Sequence, residues 1–283
     1  MPKDLYIGIL YSKPRQEEHL LFAELDRRNA RYKRIPLRGL MMEYEQPQNS
    51  IDMLVNRCQE NFSALDAVRT YEDWGIRTIN DYRTSSICFD KSATSSALAR
   101  NNIPSLRTIT VYSPHRSIQA MEKIGFPVVL KTIIGSHGRG ISRIENREDA
   151  ELILNNIQDL GMHHRVIYIQ EYVDKIHNRD IRSFVVGDEC ICAIYRTSNH
   201  WITNTANGAT ASNCPVTSEL EEISLRAANA VGGGILAIDL VETESGLRVI
   251  EVNHNMEFRN SINTTGVNIP EKIINYINYV ITH

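Results

Sequence analysis

The sequence lacks several features that would place a protein in a membrane, on nucleic acid or outside the cell. Its 283 residues contain no run approaching the ~20 apolar residues of a membrane span, and no basic stretch followed by an apolar segment suggests a signal peptide. Charge of one sign is not in excess, because the net charge is −3, which excludes a general attraction to nucleic acid or anionic membrane. We therefore expect a cytoplasmic protein without a membrane or nucleic-acid partner.

Cysteine is also scarce and scattered. An odd number of cysteines does not suit a disulfide framework, and their spacing does not supply the four ligands of a structural zinc site. Cys190 and Cys192 are the one close pair, and strand alternation predicts that both point to one face. We predict small core thiols in a reducing compartment at Cys58, Cys88, Cys190, Cys192 and Cys214.

Short apolar runs alternate with amphipathic segments, which is typical of an α/β fold. We predict an open α/β unit over residues 1–88, a second unit with a glycine-rich loop over 89–172, and a third over 173–283. Strands are predicted at 5–10, 32–35, 51–56, 77–79, 108–111, 128–131, 141–144, 166–170, 181–186, 190–195, 235–241 and 247–252. Helices are predicted at 63–74, 90–100, 117–124, 147–160, 218–231 and 269–280, and a charged amphipathic segment spans 15–29.

A glycine-rich segment lies between two of these strands. It reads Gly135-Ser136-His137-Gly138-Arg139-Gly140, and glycines let backbone N–H groups approach phosphate oxygens closely. It is not a Walker A loop, because no G-K-[ST] leads into a helix, and it is not a dinucleotide fingerprint, because a strand follows. Taken alone, the segment fits a flexible hairpin as well as a phosphate site.

Two lysines frame this segment. Lys131 ends an apolar strand four residues before the loop, and Lys91 begins the preceding helix. A single lysine is more often a solvated side chain than a ligand. Two lysines around one glycine loop favour a phosphate site.

Two carboxylates meet across a predicted hairpin. Its strands 235–241 and 247–252 flank the turn Thr243–Gly246. A turn centred near Ser245 places Asp239 opposite Glu251, and alternation puts Asn253 on the same face. Facing carboxylates repel unless a cation lies between them, and oxygen ligands of this kind suit Mg²⁺. A solvated sheet face is the alternative. The same register predicts a structural ion pair between Glu242 and Arg248.

The segment Gln170-Glu171-Tyr172-Val173 ends an apolar strand and leads to Asp180-Ile181-Arg182. A strand that enters a connecting segment in this way is typical of a domain hinge, and exposed backbone groups there suit an adenine ring. By itself the pattern is weak.

In this order along the chain, these residues resemble the signature of the ATP-grasp superfamily and, within it, the RimK-type branch. A narrower similarity to the LysX family, whose members join α-aminoadipate to the amino-group carrier protein LysW, is carried by 193–196, 200–206, 231–234, 251–258 and 260–267. The resemblance covers nearly the whole chain. It implies a three-unit ATP-grasp architecture, with an N-terminal open α/β domain before an α+β ATP-grasp portion.

The resemblance implies ATP and Mg²⁺ as cofactors and roles for individual residues. Asp239, Glu251 and Asn253 would hold the metal, and Arg196 and Asn204 would be catalytic, near the γ-phosphate and the reacting carboxyl. The residues implied to bind ATP are Lys91, Lys131, Gly135, Ser136, His137, Gly138, Arg139, Gly140, Ile141, Gln170, Glu171, Tyr172, Val173, Asp180 and Ile181. Those implied to bind the substrate are Thr203, Asn204, Glu257, Phe258, Arg259, Asn260 and Ser261.

The resemblance also implies the partners. The carrier would be a LysW-type protein, and the chain would form a homo-oligomer, a dimer or a tetramer. The similar ArgX family uses glutamate and carries Gly-Phe where this chain has Asn260-Ser261, which favours α-aminoadipate here, with glutamate or both as the alternative. The chain departs from its relatives at Asn207-Gly208-Ala209, where Arg-Gly-Gly is usual, and at His137 and Asn255.

The implied reaction needs no protein nucleophile. The carrier's terminal carboxylate would attack the γ-phosphate, and the acyl-phosphate would then react with the α-amine of the amino acid. The sequence agrees, because it contains no convincing Ser/His/Asp or Cys/His set. Two rival hypotheses are a RimK-like glutamate ligase acting on another protein and a nucleotide-binding regulatory protein without catalysis. The presence of both lysines and the Asp/Glu/Asn set argues against the second.

Overall fold

A computed structural model describes residues 5–47, 50–59, 62–113, 116–132, 141–158, 166–203 and 208–283. Its strands form three sheets that follow one another along the chain, with helices packed against them. The mixture of helices and sheets that the alternating pattern predicted is confirmed. Within the described ranges, no helix is both long and apolar enough to cross a membrane.

The N-terminal sheet is parallel, in the order β2-β1-β3-β4. Strand order reverses between β1 and β3, so the loops that follow these two strands diverge and open a crevice at the C-terminal edge of the sheet. The strands are β1 (Tyr6–Tyr11), β2 (Arg31–Pro36), β3 (Met53–Asn56) and β4 (Arg77–Ile79), and the helices are α1 (Gln16–Arg27), α2 (Phe62–Asp73) and α3 (Tyr82–Phe89).

The middle sheet is antiparallel, in the order β5-β8-β6-β7. Helix α4 precedes it and is capped by Asp90, whose carboxylate accepts hydrogen bonds from the backbone N–H groups of Ser92 and Ala93. The strands are β5 (Thr108–Val111), β6 (Val128–Thr132), β7 (Ile141–Ile144) and β8 (Ile167–Glu171), and the helices are α4 (Lys91–Arg100), α5 (Ser117–Ile124) and α6 (Arg147–Gln158).

The third sheet is also antiparallel, in the order β11-β10-β9-β12-β13. One face shares a buried core with the N-terminal sheet and α9, and the other packs on α4 and α7. The strands are β9 (Arg179–Val186), β10 (Glu189–Thr197), β11 (Thr210–Cys214), β12 (Ile235–Thr243) and β13 (Gly246–Asn253). The helices are α7 (Ser218–Val231), α8 (Arg259–Thr265) and α9 (Ile269–Thr282).

Most predicted elements are present, and five of them, β4, β5, β7, α5 and α7, have the predicted bounds. Three elements were not predicted. Helix α3, strand β11 and helix α8 have short, largely polar sequences, so they lack the apolar periodicity on which the prediction rested. The division into units 1–88, 89–172 and 173–283 stays a prediction.

The prediction that Cys190 and Cys192 share one face is wrong. The pairing of β10 with β9 shifts by one residue between them, so Ile191 is bulged out of the ladder. Cys190 therefore packs in the core beneath α7, whereas Cys192 packs in the core shared with the N-terminal sheet. All five cysteines are free and largely buried, as predicted.

A bulge also changes the hairpin of β12 and β13. Asp239 lies opposite Glu251, as predicted, but the register shifts at Leu240, which pairs with Val249. The predicted ion pair between Glu242 and Arg248 is therefore wrong. Glu242 instead accepts two hydrogen bonds from Arg179, and Arg248 pairs with Glu171 of the middle sheet.

Three consecutive glycines and one asparagine join the N-terminal sheet to the third sheet. Gly232, Gly233 and Gly234 all have positive φ, and a side chain at Gly234 would collide with the amide of Asn80. The Asn80 amide donates to the carbonyl oxygens of Ile235 (2.8 Å) and His254 (2.7 Å) and accepts from the Ile235 N–H (2.7 Å). This buried amide fixes the start of β12 and the end of β13 to the N-terminal unit.

Candidate active site

A large cavity opens between the middle and third sheets and extends to the loop that follows β3. Its walls come from strands β6 and β8 on one side and from β9, β10, β12 and β13 on the other. Lys91 at the start of α4 and Gln59 after β3 complete it. Charged side chains from the middle and third sheets therefore face one space.

Two carboxylates and an amide stand together on the β12–β13 wall. Asp239 is buried opposite Glu251, and the Asn253 amide donates to Glu251 Oε1 at 3.2 Å. Among the described residues, histidine, cysteine and carboxylate side chains form no cluster of three or more that could hold a metal. The set Asp239, Glu251 and Asn253 nevertheless offers oxygen donors alone, which fits Mg²⁺ completed by phosphate oxygens and water.

Two arginines neutralise Asp239. Arg182 on β9 donates to both carboxylate oxygens, at 2.7 and 2.8 Å, and Arg196 on β10 approaches one of them at 3.2 Å. Burial alone would raise the pKa of Asp239, but the charges of Arg182 and Arg196 outweigh it and hold that pKa well below its usual range. Asp239 is therefore ionised at neutral pH.

A second carboxylate, Asp180, bridges Arg196 and Lys175. Arg196 donates to Asp180 Oδ1 at 2.6 Å, and Lys175 donates to Oδ2 at 3.1 Å. The hydroxyl of Thr203 also donates to Oδ2. Burial disfavours the charge of Arg196, yet Asp239 and Asp180 together raise its pKa above the ordinary value, so it remains a cation. The result is a continuous line of alternating charges along the cavity wall.

Lys131 faces this line from the middle sheet. Its side chain is buried and donates to Gln170 Oε1 at 2.7 Å. Burial lowers the pKa of Lys131 to about 8, against the opposing attraction of Glu251. A buried ammonium that donates to a neutral amide suits an anionic ligand, because such a ligand would supply a negative charge beside it.

Aromatic and ionic contacts frame the far end of the cavity, where β8 ends. The guanidinium of Arg143 lies 3.9 Å from the ring centroid of Tyr172, and the Trp201 ring meets Tyr172 edge-on at 6.3 Å. Glu171 pairs with Arg248, which also donates to the carbonyl oxygen of Ser105 at 2.8 Å. These contacts hold the segment between the middle and third sheets against the hairpin.

Most predicted site residues that the structure describes line this one cavity. The residues that do so are Lys91, Lys131, Ile141, Gln170, Glu171, Tyr172, Val173, Asp180, Arg196, Thr203, Asp239, Glu251, Asn253 and Glu257. Residues Gly135, Ser136, His137, Gly138, Arg139, Gly140 and Asn204 lie outside the described residues. The roles assigned to all of these residues stay predictions.

Five predicted site residues do not line the cavity. Ile181 packs in the core beneath α7, and Phe258 packs in the core shared with the N-terminal sheet. Ser261 is buried, whereas Arg259 and Asn260 are exposed at the start of α8. Of the segment 257–261, only Glu257 faces the cavity.

Three polar residues of the site were not predicted to stand there. Lys175 binds Asp180, and Gln59 donates to Glu257 Oε1 at 2.7 Å. Arg182 is bonded to the Asp239 carboxylate. Alternation along β9 and β12 would have placed Arg182 beside Asp239, because the two strands pair at these residues. No local pattern would have revealed Gln59.

Comparison with known proteins agrees with this arrangement. The family model for the RimK-like ATP-grasp domain matches residues 88–277, and the model for the LysX preATP-grasp domain matches residues 7–87. A crystal structure of a RimK domain ATP-grasp protein from Sphaerobacter thermophilus superposes with a TM-score of 0.81 at 21% identity, covering 96% of this chain and 98% of that one. D-alanine–D-alanine ligase from Bacillus anthracis gives a TM-score of 0.72 at 16% identity, covering 98% of each chain.

Curated relatives are similar over most of the sequence. The α-aminoadipate–LysW ligase LysX of Saccharolobus solfataricus is 35% identical over 80% of this chain and 83% of its own length, and that of Sulfurisphaera tokodaii is 31% identical over 96% and 98%. The glutamate–LysW ligase ArgX of Sulfolobus acidocaldarius is 32% identical over 96% and 97%. The chain therefore belongs to the RimK-like ATP-grasp family and is an ATP-dependent ligase that joins a carboxylate to an amine, with an amino acid as one of its substrates.

Proposed function

We propose that this ligase phosphorylates the C-terminal carboxylate of a LysW-type amino-group carrier protein and joins it to the α-amino group of α-aminoadipate. The observation that carries the proposal is similarity to LysX proteins along both parts of the chain, including the preATP-grasp match over residues 7–87. The cavity supports it, because anionic and cationic side chains from the middle and third sheets converge there.

The side chains on the two walls of the cavity have different roles in the proposed reaction. Lys131 and Lys91 bind and orient the phosphates of ATP, since ammonium groups offset the charge of the transferred phosphoryl group. Arg196 stays charged between Asp180 and Asp239 and orients the γ-phosphate towards the incoming carboxylate. Asp239, Glu251 and Asn253 would hold Mg²⁺, which neutralises charge on the phosphate oxygens when bound.

Competition between amino acids tests the substrate. With purified LysW-type carrier, ATP and Mg²⁺, ADP release is measured with α-aminoadipate and with glutamate separately. The proposal predicts a kcat/KM for α-aminoadipate at least tenfold above that for glutamate, with formation of an amide on the carrier. A preference for glutamate would move the protein to the ArgX type of activity, and ADP release that needs no carrier would contradict the carrier's role.

A further inference from the structure

One arginine joins the hairpin of the third sheet to the segment that enters the middle sheet. Arg248 on β13 donates to the carbonyl oxygen of Ser105 from Nε at 3.2 Å and from Nη2 at 2.8 Å. The backbone continues this contact, because Val249 pairs with Ser105 as an isolated parallel bridge. The N–H of Val249 donates to the carbonyl oxygen of Pro104 at 2.8 Å, and the N–H of Leu106 donates to that of Val249 at 3.1 Å. This segment is therefore fixed along β13.

The same arginine holds the last residue of β8. Its Nη2 also pairs with Glu171 Oε1, and that oxygen accepts a hydrogen bond from the backbone N–H of Arg107 as well. The backbone N–H of Glu171 donates in return to the carbonyl oxygen of Arg107 at 2.9 Å. The side chains of Arg248 and Glu171 are each 24% exposed, so solvent screens this pair less than it screens a pair in open water. Arg248 thus holds the chain at the point where β8 ends.

The chain at this point is part of the cavity wall. Glu171 and Tyr172 line the cavity, whereas Arg248 itself does not. Apolar side chains from the surrounding strands and segments also line it, namely Leu106, Val129, Ile141, Val173, Val241 and Ile250. Apolar side chains next to a strand end with backbone N–H and carbonyl groups suit a flat nucleobase, because the ring is buried while its polar edge meets the backbone.

A backbone segment distinguishes bases by the order of its donors and acceptors. An N–H group only donates and a carbonyl oxygen only accepts, whereas the 6-position carries a donor in adenine and an acceptor in guanine. Peptide groups of fixed orientation therefore match one base and leave a polar group unpaired against the other, which is a strong basis for rejection.

The peptide group that joins Glu171 to Tyr172 has such a fixed orientation. On one side, the N–H of Tyr172 donates to the carbonyl oxygen of Pro127 at 3.4 Å. On the other side, Arg107 and Arg248 hold the backbone and the carboxylate of Glu171. Loss of the guanidinium would leave the end of β8 with fewer contacts, so that its peptide groups could turn to fit either base.

We propose that Arg248 is a positioning residue for the choice of nucleotide. Through Glu171 and Ser105 it fixes the backbone at the end of β8, and it thereby sets the preference for ATP over GTP. This role deepens the proposed function, on which it rests for the use of ATP, with the adenine beside residues 170–173.

Arg248→Met tests the role, because methionine keeps an apolar stem and removes every donor. Binding of non-hydrolysable analogues of ATP and GTP is measured by calorimetry with Mg²⁺, in the absence of carrier and amino acid. The ratio of the Kd for the GTP analogue to the Kd for the ATP analogue should fall about tenfold. Arg226→Met is the matched control, since Arg226 also joins a carboxylate, Glu222, to a backbone carbonyl, that of Asn102, away from the cavity. It should leave the ratio as in the wild type.

Two further variants separate positioning from a general effect on stability. Arg248→Lys keeps a charged donor but not the fork of the guanidinium, so it should retain more of the wild-type ratio than Arg248→Met does. Combining Arg248→Met with Glu171→Gln should lower the ratio no further than Arg248→Met alone, because both changes act on one contact.

The role of Arg248 and the proposed function fail on different results. If Arg248→Met weakens the binding of both analogues by the same factor, or leaves both unchanged, the role of Arg248 is overturned. Equal binding of the two analogues by the wild type would overturn it as well. A wild-type enzyme that prefers the ATP analogue, but forms no amide on the carrier with α-aminoadipate or glutamate, would contradict the proposed function alone.

Discussion

Replacing Lys131 by methionine should remove ATP binding and yet stabilise the protein. Burial lowers the pKa of Lys131 from the ordinary 10.5 to about 8, and one pKa unit corresponds to about 1.4 kcal/mol. Holding the ammonium in its cavity therefore costs on the order of 3 kcal/mol of folding free energy at pH 7. Methionine removes this cost, but it also leaves Gln170 Oε1 without its hydrogen-bond donor, which destabilises the folded state by about 1–2 kcal/mol. The free energy of unfolding should therefore increase by about 1–2 kcal/mol.

The pH dependence of this gain distinguishes it from ordinary repacking. Between pH 8 and 10.5 the unfolded lysine binds more protons than the folded one, so the stability of the wild type rises with pH through that window. The difference in unfolding free energy between Lys131→Met and the wild type should therefore decrease steadily from pH 8 upwards. Urea unfolding at pH 7, 9 and 10 measures this difference. Lys33→Met is the control, because Lys33 is exposed on its strand. A variant that is less stable at pH 7, with a pH-independent difference, would refute the reasoning.

Two further predictions concern the charges of the cavity. Glu251→Gln keeps the acceptor for Asn253 and should abolish Mg²⁺-dependent tightening of ATP binding in calorimetry without changing the melting temperature. Asp239→Asn should destabilise the fold by about 3–5 kcal/mol, because Arg182 and the buried Arg196 lose the charge of Asp239, and only Arg196 keeps a second carboxylate, Asp180. Equal stability of the two variants would contradict this. The dissociation constant for ATP should rise above pH 8 as Lys131 loses its proton, and Lys131→Arg should flatten that rise, so a pH-independent constant in the wild type would exclude a role for this ammonium.

The sequence predicts the fold best where apolar periodicity is strong. Helix α7 alternates buried and exposed faces over 14 residues and has the predicted bounds, whereas β11, with the sequence TASNC, carries no apolar pattern and was not predicted. Strand β11 exists because β10 offers it an edge to pair with. Such tertiary pairing outweighs local propensity.

The facing carboxylates show how far register can be predicted. Counting back from the turn placed Asp239 opposite Glu251 correctly, because the counting error at the turn was offset by the bulge that leaves Ile250 unpaired. The same count failed for Glu242 and Arg248, which lie on the turn side of the bulge. A bulge carries no signal in an apolar strand, so its position could not be predicted.

Contacts between distant segments carried no signal of their own. Gln59 and Glu257 are 198 residues apart, and neither lies in a periodic element. Arg15 and Glu18 read as an ordinary i, i+3 pair at the start of a helix. The contact between Gln59 and Glu257 at the cavity follows only from the way the N-terminal sheet packs against the third sheet.

The most direct test of the central claim, that the enzyme activates a carboxylate by phosphorylation, follows the oxygen atoms. A LysW-type carrier with ¹⁸O in its terminal carboxylate is incubated with ATP, Mg²⁺, α-aminoadipate and the enzyme, and the products are analysed by mass spectrometry. An acyl-phosphate requires one ¹⁸O to appear in inorganic phosphate, with ADP unlabelled and formed in equal amount to the amide. Label in AMP, or retention of both ¹⁸O atoms by the carrier, would contradict the account.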